Sequence, residues 1–176
     1  MPEVRGKRLR KIYYASFEAQ WLKKVFVAST ERGICGVDFL KSEKEFLRRL
    51  KRRYPIQVIK DDQKNREALN QLKKYLEGKL KRFDCKLDYR GTPFQKKVWR
   101  ALTQIPYGET RTYKEIARAI GHPKAFRAVG NANRQNPIPL IIPCHRVVES
   151  RGGLGGFGHG IKIKKRLLEF EKRNGI

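Results

Sequence analysis

Acidic side chains are scarce in this chain: Asp and Glu number 17 against 42 Lys and Arg, for a formal net charge of +25 and a sequence pI near 10.4. A surplus of that size favours a polyanionic partner, because each neutralised phosphate releases counterions. A solvated surface rich in ion pairs would give the same count. Residues 1–91 hold 25 basic and 12 acidic groups and residues 92–176 hold 17 and 5, so the field covers both halves and singles out no patch. Cysteine and histidine are scarce as well. Cys35, Cys85 and Cys144 form no CxxC pair, and His122, His145 and His159 lack zinc-ligand spacing, which argues against a structural metal. An odd cysteine count argues against a secreted disulfide scaffold, with a single Cys35 to Cys85 bridge left open. Long apolar runs are missing. No segment approaches membrane-spanning length, and the basic first eleven residues have no apolar stretch of the kind a signal peptide carries. The expectation is a soluble, cytoplasmic protein without membrane contact.

What is present falls into two halves. Residues 12–17, 25–28 and 34–40 are β-branched or aromatic runs separated by turn residues such as Glu31-Arg32-Gly33, the pattern of a small antiparallel sheet. Ser42 and Glu45 form a capping box ahead of Phe46, Leu47, Leu50 and Tyr54, with Pro55 ending that helix. Leu69, Leu72, Leu76 and Leu80 recur at helical spacing. Residues 83–90 break the periodicity and read as a linker, which divides the chain into an N-terminal α/β domain over 1–88 and a mostly helical domain over 89–176. In the second, Thr92 and Gln95 make a capping box with Pro93 at the first helical position, and Phe94, Val98, Leu102 and Ile105 form a buried stripe. Thr112 and Glu115 open a further helix with Tyr113, Ile116, Ala117 and Ile120 on one face. After Gly121-His122-Pro123, a helix predicted over 123–134 sets Lys124, Arg127, Asn131 and Arg134 on a polar face opposite Phe126 and Val129. Helix, glycine-containing turn and basic second helix is the pattern of a winged-helix-like helix-turn-helix, although a basic face read alone is also simply a solvated one.

The chemistry concentrates in Pro143-Cys144-His145-Arg146-Val147-Val148, which follows the apolar run Ile138-Pro139-Leu140-Ile141-Ile142. A cysteine followed at once by histidine and arginine has groups beside it that stabilise a thiolate, the species that attacks. Burial alone does the reverse and leaves a thiol inert. With Gly91-Thr92-Pro93-Phe94-Gln95, Val98-Trp99, Ile105-Pro106-Tyr107-Gly108-Glu109-Thr110, Tyr113, Arg127-Ala128-Val129-Gly130 and Asn136-Pro137, residues 92–171 resemble the O6-alkylguanine-DNA alkyltransferases. The resemblance implies repair by direct reversal of damage in double-stranded DNA. The alkyl group of O6-alkylguanine would pass irreversibly and stoichiometrically to Cys144 once the base is flipped out, without a cofactor and with the protein acting as a monomer.

By the same resemblance Cys144 is the alkyl acceptor, His145 the base that activates it through a bridging water, and Glu171 the acid that orients His145. A bridge is needed because adjacent residues of an extended segment face opposite ways. Asn136 matches a hinge between recognition helix and active-site segment; read alone, an Asn before Pro is a turn residue. Arg127 matches the residue that enters the stack as the base leaves, and Tyr113 one that crowds the neighbouring phosphate and donates to the guanine ring. The carbonyls of Cys144 and Val147 would accept from the guanine amino group. Lys124, Asn131 and Arg134 complete the DNA-facing surface. The glycine-rich stretch 152–160 lacks the features of a nucleotide-binding loop and would wall the base pocket with Phe157. Gly158 and His159 depart from the family pattern there, so an imidazole is expected to narrow the pocket and disfavour bulky adducts. Two rivals stay open: a non-enzymatic DNA-binding sensor of alkylated DNA, and a turnover Cys-His hydrolase.

Overall fold

The computed structural model describes residues 11–54 and 57–175. Pro55, expected to end the first helix, and the basic residues 1–10 lie outside them; the helix is capped by Tyr54. Strands β1 (Lys11–Ala19), β2 (Lys23–Thr30) and β3 (Gly33–Phe39) pair antiparallel, each longer or shifted by a residue or two from its apolar run. Helix α1 (Glu43–Arg53) returns the chain to a fourth strand, β4 (Gln57–Lys60), which pairs parallel to β1 and gives the order β3-β2-β1-β4. The sequence offered no sign of β4, because four half-exposed residues carry no alternation to read.

Period-two alternation sorts the sheet's two faces. Ile12, Tyr14, Phe26 and Ala28 point to α1 and bury against Phe46, Leu50 and Tyr54. Ala15, Val25, Val27, Val37 and Phe39 point the other way, to α2 (Arg66–Leu76) and to the second half of the chain. Leu80 falls beyond α2, which stops before Gly78. The segment over 83–90, expected as a linker, lies along the free edge of β3. Ile34 N–H donates to Lys86 O at 2.8 Å, Asp88 N–H donates to Ile34 O at 2.7 Å, and Asp88 also pairs with Arg32 and Thr30. Gly33 permits that approach, since a Cβ there would lie 2.4 Å from the Lys86 carbonyl oxygen. One apolar cluster therefore runs from the sheet through Leu72 and Tyr75 to Trp99, Ile138, Cys144 and Leu167.

The second half begins with α3 (Pro93–Leu102), entered through the Thr92/Gln95 capping box. A two-stranded parallel sheet, β5 (Arg111–Thr112) with β6 (Val147–Val148), joins the start of α4 (Tyr113–Ala119) to the stretch just after Cys144. Helix α5 (Phe126–Arg134) follows α4 across a turn and completes the helix-turn-helix. Trp99 is fully buried and its indole N–H donates to Ala132 O at 2.9 Å, which fixes α3 to α5. Truncating such a side chain costs about 3–5 kcal/mol. The last helix, α6 (Ile161–Asn174), lays Lys164, Leu167 and Glu171 along its buried stripe.

Candidate active site

Residues 135–143 have no regular structure, yet Ile138, Leu140, Ile141 and Ile142 are buried, so their backbone groups need internal partners. Asn136 supplies them: its amide N–H donates to Ile142 O at 2.7 Å and its carbonyl accepts from Ile138 N–H at 2.9 Å. That closure delivers Cys144 at the start of a 3-10 turn, Cys144–Arg146. The expectation of an extended segment is corrected here. The turn directs His145 and Arg146 to the buried carboxylate of Glu171, a fully buried position on α6.

Glu171 is held by five donor groups. Oε1 accepts from His145 Nε2 at 2.7 Å, Tyr75 OH at 2.6 Å and Arg146 Nη2 at 2.9 Å. Oε2 accepts from Arg146 Nε at 2.8 Å and Gly108 N–H at 3.1 Å. Gly108 has φ +78°, a conformation that suits glycine. Burial opposes the charge on Glu171, but the donors of His145 and Arg146 outweigh it and hold the carboxyl well below the usual range. For His145 burial dominates and pushes the imidazole below its ordinary value despite Glu171, so it is neutral near pH 7. With the proton on Nε2, Nδ1 keeps a free lone pair; it is buried and has no protein partner among the described residues.

Cys144 is buried, and desolvation raises its thiol to about 11, against the amide of Asn136, the charge of Lys164 and its local backbone N–H groups. Lys164 is a residue the sequence reading missed. Fully buried, it donates Nζ–H to Val147 O at 2.5 Å and sits 5.8 Å from the centre of the Tyr113 ring; burial lowers it to about 8. Its signal was legible: Lys164 precedes Leu167 by three positions and Glu171 by seven, on one helical stripe. Tyr75 was missed too. Leu72 and Leu76 mark its helix, but nothing local says that a tyrosine from the first half reaches a carboxylate near the C-terminus.

The carbonyls expected to meet the guanine amino group already have donors. Cys144 O accepts from Asn133 Nδ2 at 3.1 Å and Val147 O from Lys164, each with a second lone pair in reserve. A groove of about 830 Å³ runs along α5, lined by Tyr113, Phe126, Arg127, Asn131, Arg134 and Gly156, among others; Cys144 does not line it, but Tyr113 stands close enough to the thiol to feel its charge. Arg127, Asn131 and Arg134 are exposed along α5. Lys124 is not on that helix, which starts at Phe126, and Phe126 is 37% exposed rather than buried beside Val129. Phe157 is half-buried against the core and Gly158 is exposed; a Cβ there would meet only the Arg134 carbonyl oxygen, at 3.9 Å. His159 corrects the expectation of a narrowed pocket. Its ring stacks on Phe39 at 3.9 Å and its Nε2 lies 2.7 Å from Asp38 Oδ1, so the imidazole is committed to β3. All three cysteines are free.

A buried thiol next in sequence to a histidine–carboxylate pair, in the same half of the chain as a helix-turn-helix with a basic groove, is the combination expected of a nucleic-acid-directed protein that uses a cysteine. Residues 93–173 match the DNA binding domain of 6-O-methylguanine DNA methyltransferase, and residues 12–89 its ribonuclease-like domain. The methylated-DNA–protein-cysteine methyltransferase of Methanosarcina barkeri is 48% identical over 163 residues, 93% of this chain and 99% of the relative. The Mycobacterium tuberculosis OGT, solved in complex with DNA, superposes with a TM-score of 0.81 at 40% identity, covering 92% of this chain and 94% of that one. The O6-methylguanine-DNA methyltransferase of Pyrococcus kodakaraensis gives 0.61 at 28% identity, with 91% and 98% covered. This chain belongs to the methylated-DNA–protein-cysteine methyltransferase family.

Proposed function

We propose that this protein repairs O6-alkylguanine in double-stranded DNA by moving the alkyl group to Cys144. The observation that carries the reading is the buried chain from Glu171 to His145, which ends on an unpaired Nδ1 next in sequence to a buried thiol. At rest the site holds a thiol and a neutral imidazole. The thiol proton passes through a bridging water to Nδ1, and the resulting imidazolium is stabilised by Glu171. The thiolate, favoured by Lys164, attacks the alkyl carbon; the S–C bond forms as the O6–C bond breaks, and the electron pair goes to the guanine. Tyr113 donates a proton to the guanine ring and regains one derived from the thiol, so thiol plus alkylguanine yields thioether plus guanine. A thioether offers no return step, and each molecule acts once.

DNA binding is assigned to α5 and the turn before it, with Arg127 filling the stack, Asn131 and Arg134 beside it and Lys124 at its approach. Phe157 and Gly158 wall the pocket, and Asn136 couples α5 to the acceptor segment. Residues 89–176 then form the acceptor domain and 1–88 the domain that braces it. Monomeric action fits the described surface, whose exposed large apolar side chains are Phe126 and Ile161 alone. Three free cysteines suit the reducing cytoplasm.

The test is intact-protein mass after incubation with O6-methylguanine duplex DNA. One added methyl group, mapped to Cys144 and absent from a Cys144→Ala protein that still binds DNA, is expected. Methylation of Cys35 or Cys85, sustained turnover, or binding without transfer would overturn the reading.

A further inference from the structure

Phe126 is a large apolar side chain left 37% exposed at the first position of α5, with no preceding helical turn to cover the rest of it. Its surroundings say what covers it. Lys114 Nζ and the Arg127 guanidinium each lie 5.9 Å from the ring centre, and the groove it lines also presents Arg134 and Asn131. An occupant needs a flat apolar face and negative charge close to it. A nucleobase, stacked and flanked by its phosphates, has both; an apolar protein or lipid surface would have to desolvate these cations.

Extruding a guanine from the duplex exposes the faces of the neighbouring bases, and an apolar wedge in the groove offsets that loss of stacking. We propose that Phe126 is a stacking residue for the base next to the extruded guanine, holding the opened duplex while Arg127 occupies the gap. The inference rests on the repair reading above and adds to it a contact by a residue that the sequence set opposite the polar face of the helix. Phe126 touches DNA but not the reacting atoms, so its effect belongs to duplex substrates alone.

The experiment compares second-order rate constants of alkyl transfer from O6-methylguanine in duplex DNA and from free O6-benzylguanine. Phe126→Ala should slow the duplex reaction by about tenfold, the scale of one base–aromatic stack, and leave the free-base reaction within about twofold. Phe126→Trp should restore the duplex rate, with emission quenched when lesion-bearing duplex is added, whereas Phe126→Leu should not restore it. Equal losses on both substrates, no loss with Ala, or full rescue by Leu would overturn the stacking role. If the wild-type protein takes no alkyl group from either substrate, the repair reading itself fails, an outcome separate from any difference among the variants.

Discussion

The buried surroundings of Cys144 and the groove along α5 are built differently. Around the acceptor segment, His145, Arg146, Lys164, Glu171 and Tyr75 are buried, and both carboxylate oxygens of Glu171 are fully supplied with donors. Along the groove, Lys114, Phe126, Arg127, Asn131 and Arg134 are exposed with few protein partners. The contrast separates two requirements. A chemical group is useful only if its geometry is set before the reaction, and dense hydrogen bonding in a dry site achieves that. A DNA-facing surface instead holds its interactions open for a ligand, and its cations lose little by waiting in water.

Breaking the buried surroundings should have the largest effect. Glu171→Gln leaves the Arg146 guanidinium without its anion, which on the scale of broken buried pairs costs about 3–5 kcal/mol; alkyl transfer is expected to fall by at least about a hundredfold on both duplex and free base. Thermal melts and single-turnover rates measure the two losses, and a variant with wild-type rates would show that Glu171 is structural only. Acid should reproduce part of this. Both His145 and Glu171 have folded pKa values below their ordinary ones, so their contributions are present above about 6.5 and 4.5 respectively and are lost as pH falls through the folded values. Melting temperature should therefore drop in two stages below about pH 6.5, with the lower stage missing in Glu171→Gln.

Lys164→Met sharpens the comparison, because it keeps the bulk and removes the charge. The Cys144 thiol, already raised to about 11, should rise further. One unit corresponds to about a tenfold loss of thiolate, visible as a shifted pH profile for iodoacetamide alkylation; an unchanged profile would free Lys164 of any electrostatic part. Tyr75→Phe removes one donor to Glu171 and leaves the others. The expectation is a loss of about 0.5–1.5 kcal/mol in stability and a rate reduced about three- to tenfold, equal on duplex and free base. A loss confined to duplex would place Tyr75's influence on DNA binding instead. The smallest chemical effect is expected from His159→Gly. Because the imidazole binds Asp38 and stacks on Phe39, the ratio of benzyl to methyl transfer should stay within about twofold while the melting temperature falls. A selective gain for the benzyl adduct would show that His159 does reach the pocket.

Much of this was legible in the chain because it is written locally. The capping boxes at Ser42/Glu45, Thr92/Gln95 and Thr112/Glu115 form as their spacing predicts, since each satisfies helix-end donors within four residues. The two helices of the helix-turn-helix and the first three strands follow from periodicity and motif, and the pairing of His145 with Glu171 is the one the family resemblance implied. Other features depended on what lies across the molecule. Phe126 and Val129 share a stripe on a helical wheel, but only Val129 has a core to enter, because the helix begins at Phe126. His159 is 121 positions from Asp38, and Tyr75 is 96 from Glu171; no local pattern encodes contacts of that separation. By itself the sequence determined which residues could carry a proton, a charge or a nucleophile. Only the tertiary structure decided which were dried, paired and aimed, because desolvation and hydrogen-bond geometry are set by neighbours that the chain brings together on folding.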